Sequence, residues 1–285
     1  ALAAVLALGC ACGYLLGGRY PMEWAPVDAG EHSGVEESKA RLLALGVPDY
    51  VLNDLTAEDL AACDGAILVV VDVDDYPVNS GRRVSHSYWI GGERHTNIHT
   101  VYDVKELRIT GVGVELPGER WMLIQHFLWT TPPGFCGTES IQLWPAYRAG
   151  MEGWRSGGAL TGRVLYDEGG QTYAAPYCFL GEQTFAYDSL FWGKQIRDDL
   201  FAAFSLPRDG ENCRGYVAYP IERVRDGYIV DGWFNYTHQQ SWMQYPVMTA
   251  MENQMTNGWN WEGVFYEVST ALQFYQNEEG VRLLG

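Results

Sequence analysis

The stretch AILVVVDV, residues 66–73, determines the fold class expected for this chain. It is rich in β-branched residues and is bounded by turn residues, a pattern typical of a buried β-strand. Residues 104–110 alternate apolar and polar side chains with the period of two that a half-buried strand shows. Together the two segments predict a body built mainly from β-strands.

Seven further segments have strand composition or alternation: 121–129, 139–144, 160–166, 171–179, 200–206, 214–224 and 228–237. Asp167–Gly170 and Arg225–Gly227 are hairpin signals between successive strands. Because no amphipathic helix alternates with these strands, antiparallel sheets are expected rather than a parallel α/β sheet. The predicted class is mainly β (α+β), with an antiparallel β-sandwich-like body or a partly closed barrel.

Short acidic helices are predicted before the strands, at about 35–45 and 56–63. Thr56, followed by Asp59 three residues later, resembles a capping box at the start of the second helix.

A C-terminal helix is predicted to pack on the β body. Apolar side chains at Val264, Val268, Ala271, Leu272 and Tyr275 fall on one stripe of an amphipathic helix. Residues 247–255 form a weaker helical pattern.

The N-terminal stretch 1–18 contains no charged residue. As a helix it would be roughly 27 Å long, close to the thickness of a bilayer core. Arg19, Tyr20 and Trp24 follow, as expected where a helix leaves the hydrocarbon region. The stretch is predicted to be a signal-anchor or transmembrane-like helix or a signal segment, with lipidation at Cys10 or a buried core helix as alternatives.

The expected organisation is a membrane anchor or signal segment at 1–20, a linker at 21–34, and a single extracytoplasmic domain at 35–285. Within that domain we expect acidic helices at 35–65, the β body at 66–245 and C-terminal helices at 246–285. The predicted localisation is therefore extracytoplasmic, either membrane-anchored or secreted.

Charge argues against one class of partner. The chain of 285 residues has 19 Lys and Arg against 36 Asp and Glu, a net charge of −17. Such an acidic surface repels polyanions, so no nucleic-acid partner is expected. The 47% of hydrophobic residues favours a folded, core-forming chain.

The aromatic inventory, 11 Trp and 18 Tyr, suggests a ligand-binding face. Rigid rings offer flat surfaces on which sugars or peptide side chains stack. The alternative is that these rings fill the core of the sandwich. The candidate ligand-binding residues are Trp233, Tyr236, His238, Gln240, Trp242, Tyr245, Trp259 and Trp261.

Four cysteines lie in the body: Cys63, Cys136, Cys178 and Cys213. None belongs to a closely spaced CxxC pair, so a cysteine-held metal is not expected. In an oxidising compartment they are candidates for disulfides, with a pair among Cys136, Cys178 and Cys213 favoured; in the cytosol they would remain buried thiols.

The sequence lacks the common signatures of catalytic, metal and nucleotide-binding sites. It has no GxSxG, SxxK, HExxH, GxGxxG after a strand, or Walker-type loop, so no catalytic residue, metal or cofactor is predicted. His95 and His99 have a metal-compatible spacing, but the surrounding sequence favours a hairpin loop. Asp72, Asp74 and Asp75 resemble calcium ligands only weakly.

Three classes of function remain. The leading interpretation is a membrane-anchored or exported β-rich binding or sensing domain without catalytic activity, with a glycan or peptide ligand. The first alternative is a secreted carbohydrate-active hydrolase, for which Glu139, Asp188 and Glu222 are possible carboxylates. The second is a structural or assembly subunit of a membrane or cell-surface complex, with protein partners in the cell envelope.

Overall fold

A computed structural model of the chain describes residues 21–76, 85–90, 92–97, 106–144, 147–148, 154–189, 193–223, 229–239, 266–277 and 280–283. Most of these residues lie in β-strands, and all strand pairs are antiparallel, as the sequence predicts.

The strands of the described residues form two sheets. The larger has ten strands in the order β1-β11-β10-β14-β6-β5-β2-β3-β4, with β9 paired to β14. Its strands are β1 (Ala25–Pro26), β2 (Leu68–Tyr76), β3 (Ser85–Ile90), β4 (Glu93–Asn97), β5 (Leu107–Leu116), β6 (Arg120–Trp129), β9 (Trp154–Ser156), β10 (Thr161–Glu168), β11 (Gln171–Ala175) and β14 (Glu211–Arg223).

The smaller sheet has seven strands in the order β12-β13-β7-β15-β16-β17, with β8 paired to β13. Its strands are β7 (Thr138–Trp144), β8 (Tyr147–Arg148), β12 (Cys178–Ser189), β13 (Gly193–Ser205), β15 (Ile229–His238), β16 (Tyr266–Asn277) and β17 (Gly280–Leu283).

The two sheets pack face to face around an apolar core, which we call the inter-sheet core. Phe127 and Leu123 of the larger sheet share it with Phe204 and Phe234 of the smaller one. Gly113 shows how closely the sheets approach, because a Cβ there would lie 3.1 Å from the ring of Phe274.

Three short helices cover the opposite face of the larger sheet: α1 (Glu36–Leu45), α2 (Asp49–Asp54) and α3 (Ala57–Ala62). Their apolar side chains and that face enclose a second core, which we call the helix-side core. Val70 points into the inter-sheet core, whereas Val69 and Val71 point into the helix-side core. Burial on both faces explains the unbroken apolar run in residues 66–71.

Both N-terminal helices predicted from the sequence are confirmed, as α1 and α3. The Thr56 side chain accepts a hydrogen bond from the backbone N–H of Asp59 at 3.1 Å, which caps the start of α3. Helix α2, which the sequence analysis did not predict, follows Pro48. No helix within the described ranges is long and apolar enough to cross a membrane, and the predicted anchor at 1–20 falls outside them.

Each predicted strand overlaps an observed one, although 104–110 covers only the start of β5, 200–206 only the end of β13, and 171–179 covers β11 and only the start of β12. The hairpin at Asp167–Gly170 is confirmed by the pairing of β10 with β11. The hairpin predicted at Arg225–Gly227 is wrong, because β14 lies in the larger sheet and β15 in the smaller one. Strands β3 and β4, which the sequence analysis did not predict, extend the larger sheet.

The predicted C-terminal packing helix is wrong over the described residues, which form β16 and β17. Val268 and Leu272 are four residues apart, a spacing that fits one face of a helix and also one face of a strand. Phe274 lies with them in the inter-sheet core, which shows the period of two. The helical pattern at 247–255 lies outside the described residues.

The predicted linker makes specific contacts with the domain over residues 21–34. Strand β1 pairs with β11, and the ring of Trp24 lies 4.8 Å from that of Tyr166. Glu31 forms an ion pair with Arg163 at 2.6 Å. The segment is therefore attached to the larger sheet at two places.

Candidate functional site

The predicted ligand-binding residues divide into two groups. Trp233 is half-buried, Tyr236 is completely buried, and His238 is 2% exposed. Gln240, Trp242, Tyr245, Trp259 and Trp261 lie outside the described residues. The structure therefore places two of the three described candidates inside the protein, where Tyr236 fills the inter-sheet core as the alternative interpretation expected.

His238 stands at the end of β15, directly opposite Glu139 of β7 in the antiparallel register. Its Nδ1 lies 2.8 Å and 3.0 Å from the two carboxylate oxygens of Glu139. Both side chains are buried, so their interaction is shielded from water. This contact fixes the orientation of the imidazole ring and leaves Nε2 as the ring nitrogen available for another group.

Two aromatic residues complete what we call the His238 cluster: Glu139, His238, Trp129 and Tyr236. The ring of Trp129, on β6, lies 4.9 Å from the imidazole of His238. Its Nε1 donates a hydrogen bond to the hydroxyl of Tyr236 at 3.0 Å. Since Trp129 belongs to the larger sheet and the other three to the smaller one, the cluster joins the two sheets.

The interior position changes the acid–base properties of Tyr236. Complete burial, together with the nearby charge of Glu139, raises the pKa of its hydroxyl well above the ordinary value. Tyr236 is therefore neutral and serves the cluster as a hydrogen-bonding group.

The end of β15 is held by a further contact. The backbone N–H of Thr138, at the start of β7, donates to Oε1 of Gln239 at 3.0 Å. Glu139 and Gln239 thus secure the last residues of β15 before the aromatic-rich stretch that continues from Gln240.

A second buried polar group, which we call the helix-anchoring network, lies on the other face of the larger sheet. Asp54 of α2 lies 2.8 Å from Nε2 of His126 and 2.8 Å from Nε of Arg214. Arg214 also forms an ion pair with Asp167, at 3.1 Å. Burial by itself raises the pKa of Asp54, but the hydrogen bonds and charges of His126 and Arg214 outweigh burial and lower it.

Tyr216 and Arg163 extend this network along the sheet. Tyr216 accepts a hydrogen bond from the backbone N–H of Thr56 at 3.0 Å and donates one to Asp59. Arg163 binds the Glu31 carboxylate through two nitrogens and donates to the carbonyl of Asp54 at 2.9 Å. These contacts attach the helices to the sheet, so we interpret the network as structural.

The possible metal ligands have protein partners where they are described. Asp75 forms an ion pair with Arg108 at 2.8 Å, and Asp74 accepts hydrogen bonds from Tyr76 and Thr270. Within the ranges that the structure describes, no three His, Cys, Asp or Glu side chains converge as metal ligands. The loop predicted around His95 is wrong in its first half, because residues 93–97 form β4; His99 lies outside the described residues.

The four body cysteines are free thiols in the structure. Cys63 is buried in the helix-side core. Cys213 is buried in the inter-sheet core, and the partly buried Cys136 packs against that core. Cys178 is exposed. Whether disulfides form in the native compartment stays a prediction.

Three carboxylates are the candidates for a hydrolase. Glu139, in the smaller sheet, is paired with His238, and Glu222 lies on β14 in the larger sheet. The side chain of Asp188 is not among those described. Sequence reasoning selected His238 by its position beside aromatic residues, but it did not identify Glu139 and Trp129 as its partners. That assignment requires the strand register, since Glu139 and His238 are 99 residues apart.

The sequence matches no protein-family model, and comparison with curated proteins finds none that is similar.

Proposed function

We propose that this chain is a non-catalytic, glycan-binding β-sandwich domain, anchored at a membrane or exported from the cytoplasm. The observation that carries the proposal is the pairing of His238 with Glu139 at the end of β15. The proposed ligand-binding residues are Trp242, Tyr245, Trp259 and Trp261, which follow the buried His238 in the sequence.

The argument begins with the energetic cost of the His238 cluster. Removing a carboxylate and an imidazole from water costs free energy, and an apolar pair of similar size often stabilises a core as well or better. A buried Glu–His pair is therefore poorly explained by stability alone. Orientation of one ring nitrogen toward a ligand explains why such a pair is present at a strand end.

The position of His238 at the end of β15 supports the same interpretation. Strand β15 ends at His238, and the stretch 240–261 that follows contains three Trp residues. A binding site that combines flat rings with a few oriented polar groups suits a sugar, whose C–H faces stack on aromatic rings and whose hydroxyls form hydrogen bonds. The net charge of −17 favours neutral or cationic ligands over polyanions.

The location outside the cytoplasm rests on the uncharged stretch 1–18, whose length in a helix matches a bilayer core. A glycan ligand is consistent with that compartment.

The test is binding of the full chain to glycan arrays, followed by calorimetry on any glycan that binds. Trp242→Ala and Trp259→Ala are expected to abolish binding and to leave the Tm nearly unchanged. His238→Gln, which retains a hydrogen-bonding side chain, is expected to weaken binding about tenfold, the loss of about 1.4 kcal/mol.

Trp121→Phe serves as the control, because Trp121 is completely buried in the inter-sheet core and far along β6 from Trp129. It is expected to lower the Tm and to retain glycan affinity at temperatures where the protein is folded. Strong destabilisation by both Trp242→Ala and Trp259→Ala would contradict the proposal, since it would identify those rings as core. Binding to peptide arrays alone would contradict the glycan assignment.

A further inference from the structure

The four body cysteines occupy different environments in the fold. Cys63 is on the helix-covered side of the larger sheet. Tyr177 packs inside the inter-sheet core, and its neighbour Cys178 is exposed on the outside. Only Cys136 and Cys213 of these four pack in the inter-sheet core.

The surroundings of these two thiols overlap. Cys213 precedes Arg214, which lies opposite Leu128, and this places Cys213 beside the end of β6 that carries Trp129. Cys136 precedes β7 by two residues and Glu139 by three. Glu139 binds His238, whose ring lies 4.9 Å from that of Trp129, so both cysteines flank residues of the His238 cluster. Burial raises the pKa of the Cys213 thiol to about 12.

We propose that Cys136 and Cys213 are joined in a disulfide when the protein meets a thiol oxidant, which links the segment ahead of β7 to β14. The bond connects the smaller sheet to the larger one, beside the His238 cluster. The inference rests on the burial and position of the thiols and does not depend on glycan binding.

Glutathione disulfide is a sufficient oxidant for this step. The half-buried Cys136 loses its proton and attacks one sulfur of glutathione disulfide, which forms a mixed disulfide and releases one glutathione thiolate. Cys213 then loses its proton and attacks the Cys136 sulfur, which releases the second glutathione. The two protein thiols are oxidised by two electrons, and the two protons pass to the two glutathione thiolates.

The experiment uses the purified full chain, incubated with glutathione disulfide and then alkylated without reduction. Peptide mass spectrometry is expected to find one cross-linked pair that joins the peptides of Cys136 and Cys213. The linkage closes a long loop, so the Tm is expected to rise by about 10 °C and to return to its original value on reduction.

Variants separate the pair from the other cysteines. The double variant Cys63→Ser/Cys178→Ser is expected to form the same cross-link, and Cys136→Ser is expected to abolish it together with the Tm increase. Because Cys136 is only half-buried, its replacement by serine is compatible with folding. Linkage of Cys136 or Cys213 to any other cysteine overturns the proposal, as does complete alkylation of both thiols after incubation with the oxidant.

Discussion

The carboxylate of Asp54 lies 2.8 Å from Nε2 of His126, and both side chains are buried. Asp54 belongs to α2 and His126 to β6, so this contact attaches the helical layer to the middle of the larger sheet. The second oxygen of Asp54 binds Arg214 on the neighbouring strand β14. A single carboxylate therefore connects one helix to two strands.

Replacement of Asp54 by alanine is expected to destabilise the protein by about 3–5 kcal/mol, because it leaves His126 and Arg214 without their shared partner in a buried site. Urea unfolding of the full chain measures the change. Glu119→Gln is the matched control, since Glu119 is mostly exposed and lies 3.6 Å from Arg223. Its effect is expected to stay below about 0.5 kcal/mol. Equal effects of the two substitutions would show that the helix-anchoring network contributes little.

Acid is expected to weaken the same attachment. The pKa of Asp54 is lowered in the folded protein from its ordinary value of 3.8. Its ionised form therefore stabilises the fold above pH 3.8, and this contribution is lost as the pH falls through the lowered pKa. The free energy of unfolding, measured against pH, should fall less steeply below about pH 4 in Asp54→Asn than in the wild type. Parallel curves would exclude Asp54 as a contributor to acid sensitivity.

Substitution of Gly113 is expected to disturb the packing between the two sheets. Alanine there would place its Cβ 3.1 Å from the ring of Phe274 across the inter-sheet core, at a cost of about 1–3 kcal/mol. Gly134→Ala is the control, because a Cβ at Gly134 meets no atom within 4 Å. Thermal unfolding of both variants tests the prediction. A loss of stability in Gly134→Ala as large as in Gly113→Ala would argue against close packing of the two sheets.

The membrane prediction concerns residues outside the described ranges and is tested by fractionation. The full chain is expected to partition with membranes, and a chain that begins at Pro21 is expected to remain in the aqueous fraction. The deletion ends there because Trp24 and Glu31 contact Tyr166 and Arg163. Recovery of the full chain in the aqueous fraction without detergent would contradict the anchor.

Local sequence patterns were sufficient for much of the fold. The β-branched run at 66–73 and the alternation at 104–110 predicted strands because both patterns depend on neighbours within a few residues. Thr56 marked the start of α3 for the same reason, since its hydrogen bond reaches only as far as Asp59.

The remaining features depend on distant partners. The sequence does not show that β14 and β15 enter different sheets, because a turn signal looks the same whether or not the strands beside it pair. Val268 and Leu272 suit a helix as well as a strand, and their partners across the inter-sheet core decide between the two. The pairing of Glu139 with His238 can be identified only from the register between β7 and β15.

Thr56 and Tyr216 are hydrogen-bonded across the boundary between helices and sheet, yet 160 residues separate them in the chain. A ribosome releases the three helices long before it releases β14. Until β14 is synthesised, the apolar side chains of the helices lack the sheet that covers them in the folded protein, and such exposed apolar surface favours aggregation of the nascent chain. The three helices are synthesised before the strand that anchors them and are thus among the last elements to acquire their native contacts.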